Sequence, residues 1–372
     1  MNNTIEVIEN PLVSIVKKLE IQKNLKQDII VPSNHIRYTE SGILQAMTSD
    51  LFYDFNMTDH AHDQMALKLG IPGGYYQKLK SEFPSLLSQN INGWLSRSEK
   101  TKYLLRTFNY KDEKIPNICR AMLSNKYNCI DNYDVLIAAL EAIKSTGIHI
   151  EIVKAEITDK RMYLHVVAPE IHVEATKLLD GYLENRSSAV VGRGIISGLV
   201  ITNSEVGMGT FEVSARAQIL QCTNGMHDRS AKFRKVHLGA RLDDGIINWS
   251  QEVKNKNYEL IMAQTKDAVN TFLSKEYLGQ LTDKLAASKG IMIENPSSVI
   301  DKVSAELEIP EEHKMNVLRY FLQDGDESAF GMMNAFTRQS QKMSADLQYN
   351  VESGIFEMLP NLGKFDKPLS KN

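Results

Sequence analysis

Between Asn132 and Ala168 the apolar residues change period, and this change restricts the fold more than any other feature of the chain. In NYDVLIAALEAIK, Val135, Leu136, Ala139, Leu140 and Ile143 share one face of a helix that Asp131 or Asn132 can cap. From His149 onward the apolar positions alternate instead. His149 to Thr158 and Met162 to Ala168 stand on either side of Asp159-Lys160, the pattern of a β-hairpin. Gly194 to Asn203 and Thr210 to Leu220 read as two more strands around the turn Gly207-Met208-Gly209. A helix followed by hairpin-linked strands implies an α+β core, with a central antiparallel β-sheet and packed helices.

The flanks read as helical. The first hundred residues are mostly helical in pattern. Within them, Asn56 to Lys80 gives helix, a break at Gly70-Ile71-Pro72-Gly73-Gly74, then helix again. This is the outline of a helix-turn-helix, but Gln77, Lys78 and Lys80 make a thin recognition face, and a packed helical hairpin is the plainer expectation. Lys102 to Asn109 reads as a strand and Pro116 to Leu123 as a helix. Beyond Trp249, Tyr258 to Leu285 reads as one helix, followed by Pro296 to Leu307 and Pro310 to Leu322. Asn334 to Asn350 is a polar helical segment, and the chain from Pro360 reads as loose. The resulting division is an α-rich N-terminal region (1–110), a central α+β core (111–250), a helical C-terminal region (251–360) and a tail (361–372).

With 372 residues the chain can bury a large core, and its 42% hydrophobic and 24% charged residues are ordinary for a globular protein. The net charge of -3 gives no global nucleic-acid signal, so binding to nucleic acid has to rest on a local basic patch. Cys119, Cys129 and Cys222 lack metal-type spacing and fit a reducing compartment. The sequence MNNTIEVIENPLVSIVKKLE lacks the pattern of a secretory signal, and no apolar window is long enough to span a bilayer. A cytoplasmic protein without membrane contact is the expectation.

Several phrases coincide with one family. Arg120-Ala121-Met122-Leu123-Ser124 with Tyr127, then Asp131-Asn132-Tyr133-Asp134, resembles a motif RAxLSxxYxxxDNxD. Asn203-Ser204-Glu205-Val206-Gly207 and Cys222-Thr223-Asn224-Gly225-Met226 resemble an NSEVG…CTNGM pair, and Gly331 with Asn334-Ala335-Phe336-Thr337 resembles a glycine-then-NAxT motif. In this order, over about residues 40 to 357, they resemble the phage/plasmid-like domain-of-unknown-function family numbered 932. The resemblance implies a mobile-element origin and carries no established activity. After the NAxT motif, where a histidine is associated with the family, this chain has Arg338-Gln339-Ser340-Gln341-Lys342, which speaks against a histidine-based site there.

The basic run is the main chemical candidate. Arg229, Lys232, Arg234, Lys235 and Arg241, with Phe233, His227 and His237 interleaved, are opposed within the run only by Asp228. Cations with an aromatic that can stack on a base suit a nucleic-acid backbone, and Arg193 and Arg216 join them if their strands are adjacent. The plain alternative is a solvated basic loop paired with Asp243 and Asp244. Gly192-Arg193-Gly194 and Gly207-Met208-Gly209 match neither the P-loop nor the dinucleotide fingerprint and read as turns. His60 and His62 would point about 200° apart on a helix and cannot chelate one metal from one face. Asn334 and Thr337 read as buried hydrogen-bonding groups that tie the C-terminal part to the core.

The expected function is therefore nucleic-acid binding, single-stranded DNA favoured, as in strand annealing during replication or recombination, with homo-oligomers, no cofactor and no metal. The expected contacts are Arg193, Arg216, Arg229, Lys232, Phe233, Arg234, Lys235, His237 and Arg241. The competing expectation is a mobile-element interaction protein that modulates a host factor. An enzyme is the least favoured reading and would have to use Glu205, Asp243 and Asp244 near His237.

Overall fold

Residues 26–57 hold short apolar alternations separated by turns, and in the structure they pair rather than coil. The computed structural model describes residues 11–48, 52–97, 101–110, 114–127, 129–179, 194–219, 225–235 and 251–366; in 225–235 it describes the backbone and the Lys232 side chain. Helix α1 (Pro11–Leu25) runs into β1 (Lys26–Pro32), followed by β2 (Ile36–Tyr38), β3 (Ile43–Met47) and β4 (Phe52–Met57). Three helices follow, α2 (Asp59–Leu69), α3 (Gly73–Glu82) and α4 (Pro84–Leu95), then β5 (Lys102–Phe108) and β6 (Asn117–Ser124). The sheet order is β1-β5-β6-β4-β3-β2, antiparallel except for the β4–β6 pair. Its helix-covered face packs Phe55, Leu105 and Met122 against Met65, Tyr76 and Ile91.

The helical reading of the first hundred residues thus finds its helices, but it missed four strands. The helix expected over 116–123 is the strand β6. NICRAMLS is buried on both faces, between β5 and β4, and a run buried on both sides has no period that separates strand from helix.

The second sheet follows its sequence pattern closely. After α5 (Asn132–Thr146) come β7 (Glu151–Ile157), β8 (Met162–Glu174), the short α6 (Thr176–Leu179), β9 (Gly194–Asn203), β10 (Phe211–Ile219) and β11 (Gly225–Lys235). They form an antiparallel meander in the order β11-β10-β9-β8-β7. One face carries Leu164, Val166, Leu199, Ile201, Val213 and Ala215 into the largest core. Gly198 lies so close to β8 that a Cβ would sit 2.4 Å from the Val166 carbonyl oxygen.

Seven helices complete the described chain: α7 (Gln251–Phe272), α8 (Lys275–Lys289), α9 (Pro296–Glu306), α10 (Glu311–Asp324), α11 (Ala329–Ser340), α12 (Ala345–Met358) and α13 (Leu362–Phe365). The single helix expected over 258–285 is two, because Ser274 leaves helical geometry and its hydroxyl caps Tyr277 N–H at 3.2 Å. The segment 334–350 is likewise the end of α11 and the start of α12, which Ser344 caps.

Ile261, Val269, Phe330, Phe336 and Ile355 pack in the same core as β8, β9 and β10, and so do Ile15 and Leu19 of α1. The C-terminal helices therefore have no separate core at a 250/251 boundary. The expected tail is also partly packed: Leu362 is wholly buried and the Asp366 carboxylate accepts the N–H groups of Glu294 and Asn295. Among the described residues no helix is long and apolar enough to cross a membrane.

Helix α11 is buried on nearly every side, and the glycine of its motif has a steric cause. A Cβ on Gly331 would lie 1.9 Å from the Asp326 carbonyl oxygen. We therefore expect Gly331→Ala to lower unfolding free energy by about 1–3 kcal/mol, read as a lower urea midpoint. An unchanged midpoint contradicts this packing.

Candidate functional site

The segment Asn203–Gly207 leaves β9 and is held at every residue by β6, by α2, or by the start of α5 and the loop before it. The Asn203 amide donates to the Ile130 carbonyl and to Asn132 Oδ1, both at 2.9 Å. Tyr127 donates its hydroxyl hydrogen to the Ser204 carbonyl at 3.3 Å. Glu205 accepts the Asn132 N–H at 2.7 Å and pairs with Arg120 Nη2 at 2.8 Å. The Val206 carbonyl accepts from Gln64 Nε2 at 2.6 Å and is bonded to His60 Nε2 at 2.9 Å. Gly207 has a φ of +80°, and a Cβ there would sit 2.7 Å from Leu123. Motif residues 71 to 85 positions apart thus close on one another in a single polar joint.

Strand geometry supplies the joint's arginine. Arg106 pairs with Ala121 and Thr107 with Cys119, so Arg120 is an extra, bulged residue on β6. Its guanidinium lies over the Phe108 ring at 4.2 Å and reaches Glu205, with both partners more than nine-tenths buried. Arg106, fully buried, donates to Asp28 at 3.0 Å, to Asp131 at 2.7 Å and to the Glu205 carbonyl at 2.9 Å. Lys26 also pairs with Asp131. Burial pushes the Asp131 carboxyl up, but the Arg106 and Lys26 charges reverse this and hold it below its ordinary range. Asp134 is instead raised, by burial and then by the Asp131 charge.

These groups enclose a cavity of about 50 Å³ lined by Lys23, Lys26, Asp131, Asp134 and Glu205. It has room for a water or two, far below the ~300–1,000 Å³ of a small-molecule site. Glu205, nominated for catalysis, is spent on Arg120 and the α5 N-terminus. The joint is a weld between sheets and has no room for a substrate.

Four of the run's cations, Arg229, Lys232, Arg234 and Lys235, lie on β11, an edge strand of the second sheet among the described residues, where the plain alternative had a solvated loop. Lys232 stands opposite Ser214, Phe233 opposite Val213, Arg234 opposite Glu212 and Lys235 opposite Phe211, with a register shift between Ser214 and Ala215. Arg229 lies in the same strand, and Arg193, His237, Arg241, Asp243, Asp244 and Cys222 lie outside the described residues.

Arg216 requires a correction. It is 3% exposed, bonded to Gln218 Oε1 at 2.5 Å, and its ordinary pKa is lowered by burial against the opposing charge of Glu352. It belongs to a buried polar layer beneath α12, where Tyr349 donates to Glu212 and Glu352 accepts from Gln341 and Gln348. It is no open phosphate contact.

The histidine pair is internal. His62 Nδ1 is bonded to the Tyr76 hydroxyl at 2.8 Å, and His60 serves the joint. Burial lowers His60 and pushes His62 down to about 4. Burial also raises the Cys119 thiol to about 12 and Cys129 to about 11, which leaves neither as a ready thiolate. Asn334 and Thr337 bond within α11, to the Phe330 and Asn334 carbonyls, so they brace that helix and do not bridge to the core.

Sequence reasoning missed Arg106 and Gln64, although an arginine inside KYLLRTF was a legible anomaly. No protein family, curated protein or solved structure matches the chain.

Two outcomes follow from this geometry. Arg120→Met leaves the Glu205 carboxylate buried and unpaired, so it should cost about 3–5 kcal/mol of stability. Adding Glu205→Gln should cost less than the sum of the single changes; additive losses in a urea double-mutant cycle contradict the pairing. A histidine depressed in the folded state contributes stability that is complete above its unfolded pKa and lost as pH falls towards the folded value. For His62 that window runs from about 6.5 down to about 4 and carries roughly 3 kcal/mol. The fall in urea midpoint between pH 7 and 4.5 should shrink in His62→Gln, and an identical pH profile would count against the assignment.

Proposed function

We propose that the protein binds nucleic acid through its phosphate backbone, single-stranded DNA favoured, along the β11 edge of the second sheet. The observation that carries this reading is the register of β11: Arg229, Lys232, Arg234 and Lys235 fall within one strand that pairs, among the described residues, on one side only. An edge of this kind holds a charged backbone without reading bases, as in single-strand binding by other sheet proteins. Arg216 is not part of the proposed surface.

We also infer membership of the phage/plasmid-like family numbered 932. The support is spatial: two of its motif-like phrases, from Arg120 to Asp134 and from Asn203 to Gly207, meet at one joint. The nucleic-acid reading goes with a cytoplasmic protein that acts as an oligomer in strand annealing; the family resemblance adds no activity to it.

The test is fluorescence anisotropy of a labelled single-stranded oligonucleotide at low and moderate salt. Submicromolar binding is expected, weakening with a log–log slope of about −0.7 per phosphate neutralised, as for single strands. Reversing Lys232, Arg234 and Lys235 to Glu should lower affinity at least tenfold and flatten the slope. Failure to bind at low salt removes this reading and leaves the interaction-protein alternative.

A further inference from the structure

We propose that the surface around Tyr320, between α10 and α11, is an anion site that takes a phosphate group. Three cations converge on this one ring. The Arg338 guanidinium lies 4.2 Å from the ring centroid, Arg319 5.5 Å and the Lys342 ammonium 5.6 Å. Each is held by a different anchor: Arg338 by Asp324 at 3.0 Å, Arg319 by Asn316 at 2.8 Å and Lys342 by the Tyr320 hydroxyl at 2.8 Å. Among the described residues only Arg338 has a carboxylate partner. Among the described residues neither Arg319 nor Lys342 has one within 4.0 Å.

Three like charges around one ring repel, and a cluster held in this way is stabilised by an anion placed among them. The anchors fix the donors beforehand, so little side-chain freedom is lost when an anion arrives. Two guanidinium forks and an ammonium match a tetrahedral oxyanion with several acceptor oxygens better than a single carboxylate. The Tyr320 phenol responds to the same field: the Lys342 hydrogen bond, opposed by burial and aided by Arg319 and Arg338, holds it below its ordinary range. The site uses none of the β11 residues and does not rest on the nucleic-acid reading. The phosphate is either a free phosphoanion or a nucleic-acid backbone, and both present the same chemistry to these cations.

The experiment is thermal melting of the full chain with and without pyrophosphate, at ionic strength matched by chloride. At about a hundredfold excess over Kd, pyrophosphate should raise the wild-type melting temperature by about 2–4 °C. The Lys232, Arg234 and Lys235 reversal should keep that shift. Arg319→Gln/Lys342→Gln should lose it while melting no lower than wild type in chloride alone, since repulsion is relieved. Tyr320→Phe keeps the ring but frees Lys342, and should weaken pyrophosphate binding several-fold. An equal shift in the Arg319/Lys342 variant, no wild-type shift beyond chloride, or unchanged affinity in Tyr320→Phe would each overturn the proposal. Displacement of pyrophosphate by a single-stranded oligonucleotide identifies the backbone as the source; persistence of pyrophosphate identifies a free phosphoanion. Both require the site.

Discussion

The buried pair Arg120–Glu205 fixes how the two sheets meet, and much else is arranged around it. The apolar contact between the sheets is small: Leu104, Ala121, Leu123 and Val206 are its buried members. Each buried leucine or valine here contributes about 1.5–3 kcal/mol, and apolar contact has no direction, so a patch of this size cannot set an angle between sheets. Direction comes from polar groups with fixed geometry. Glu205 is bonded at both carboxylate oxygens and at its carbonyl, to β6, α5 and β5 respectively. A buried ion pair of this kind is weak evidence for net stability, because desolvation offsets most of its attraction. Its contribution here is to orientation: a shifted docking would leave Glu205 and Arg120 charged, buried and unpaired.

How much of this was legible follows from which physical signal each part emits. The helix α5 and the strands β7 and β8 were readable from their period, and β9 and β10, buried on both faces, from the turn residues that bound them. Strand β6 was not, since burial on both faces erases the period. The strands over 26–57 are short and half of their pairing is with distant β5 and β6, which no local pattern announces. The joint was half legible. Its residues stood out as unusual polar phrases, but that Arg120 reaches Glu205 depends on a bulge and on tertiary docking. Arg216 was misplaced because alternation alone cannot tell a solvent-facing strand face from one covered later by α12.

Charge is distributed unevenly over a chain whose net value is only -3. Carboxylates gather where arginines are already buried, as at Asp28, Asp131 and Glu205, and there the charges are matched. Around Tyr320 three cations gather, and among the described residues one carboxylate, Asp324, pairs with them. Like charges held together cost stability at low salt. The cluster lies on α10 and α11, which pack onto the largest core with α8 and α12.

The central claim is that the Asn203–Gly207 joint makes the two sheets one cooperative unit. Native-state hydrogen exchange at rising denaturant tests it most directly, by comparing amides of β6 with those of β9. The account predicts that both sets merge onto one global opening with the same free energy and denaturant dependence. Separate openings, with the six-stranded sheet exchanging while the β9 amides stay protected, would contradict it.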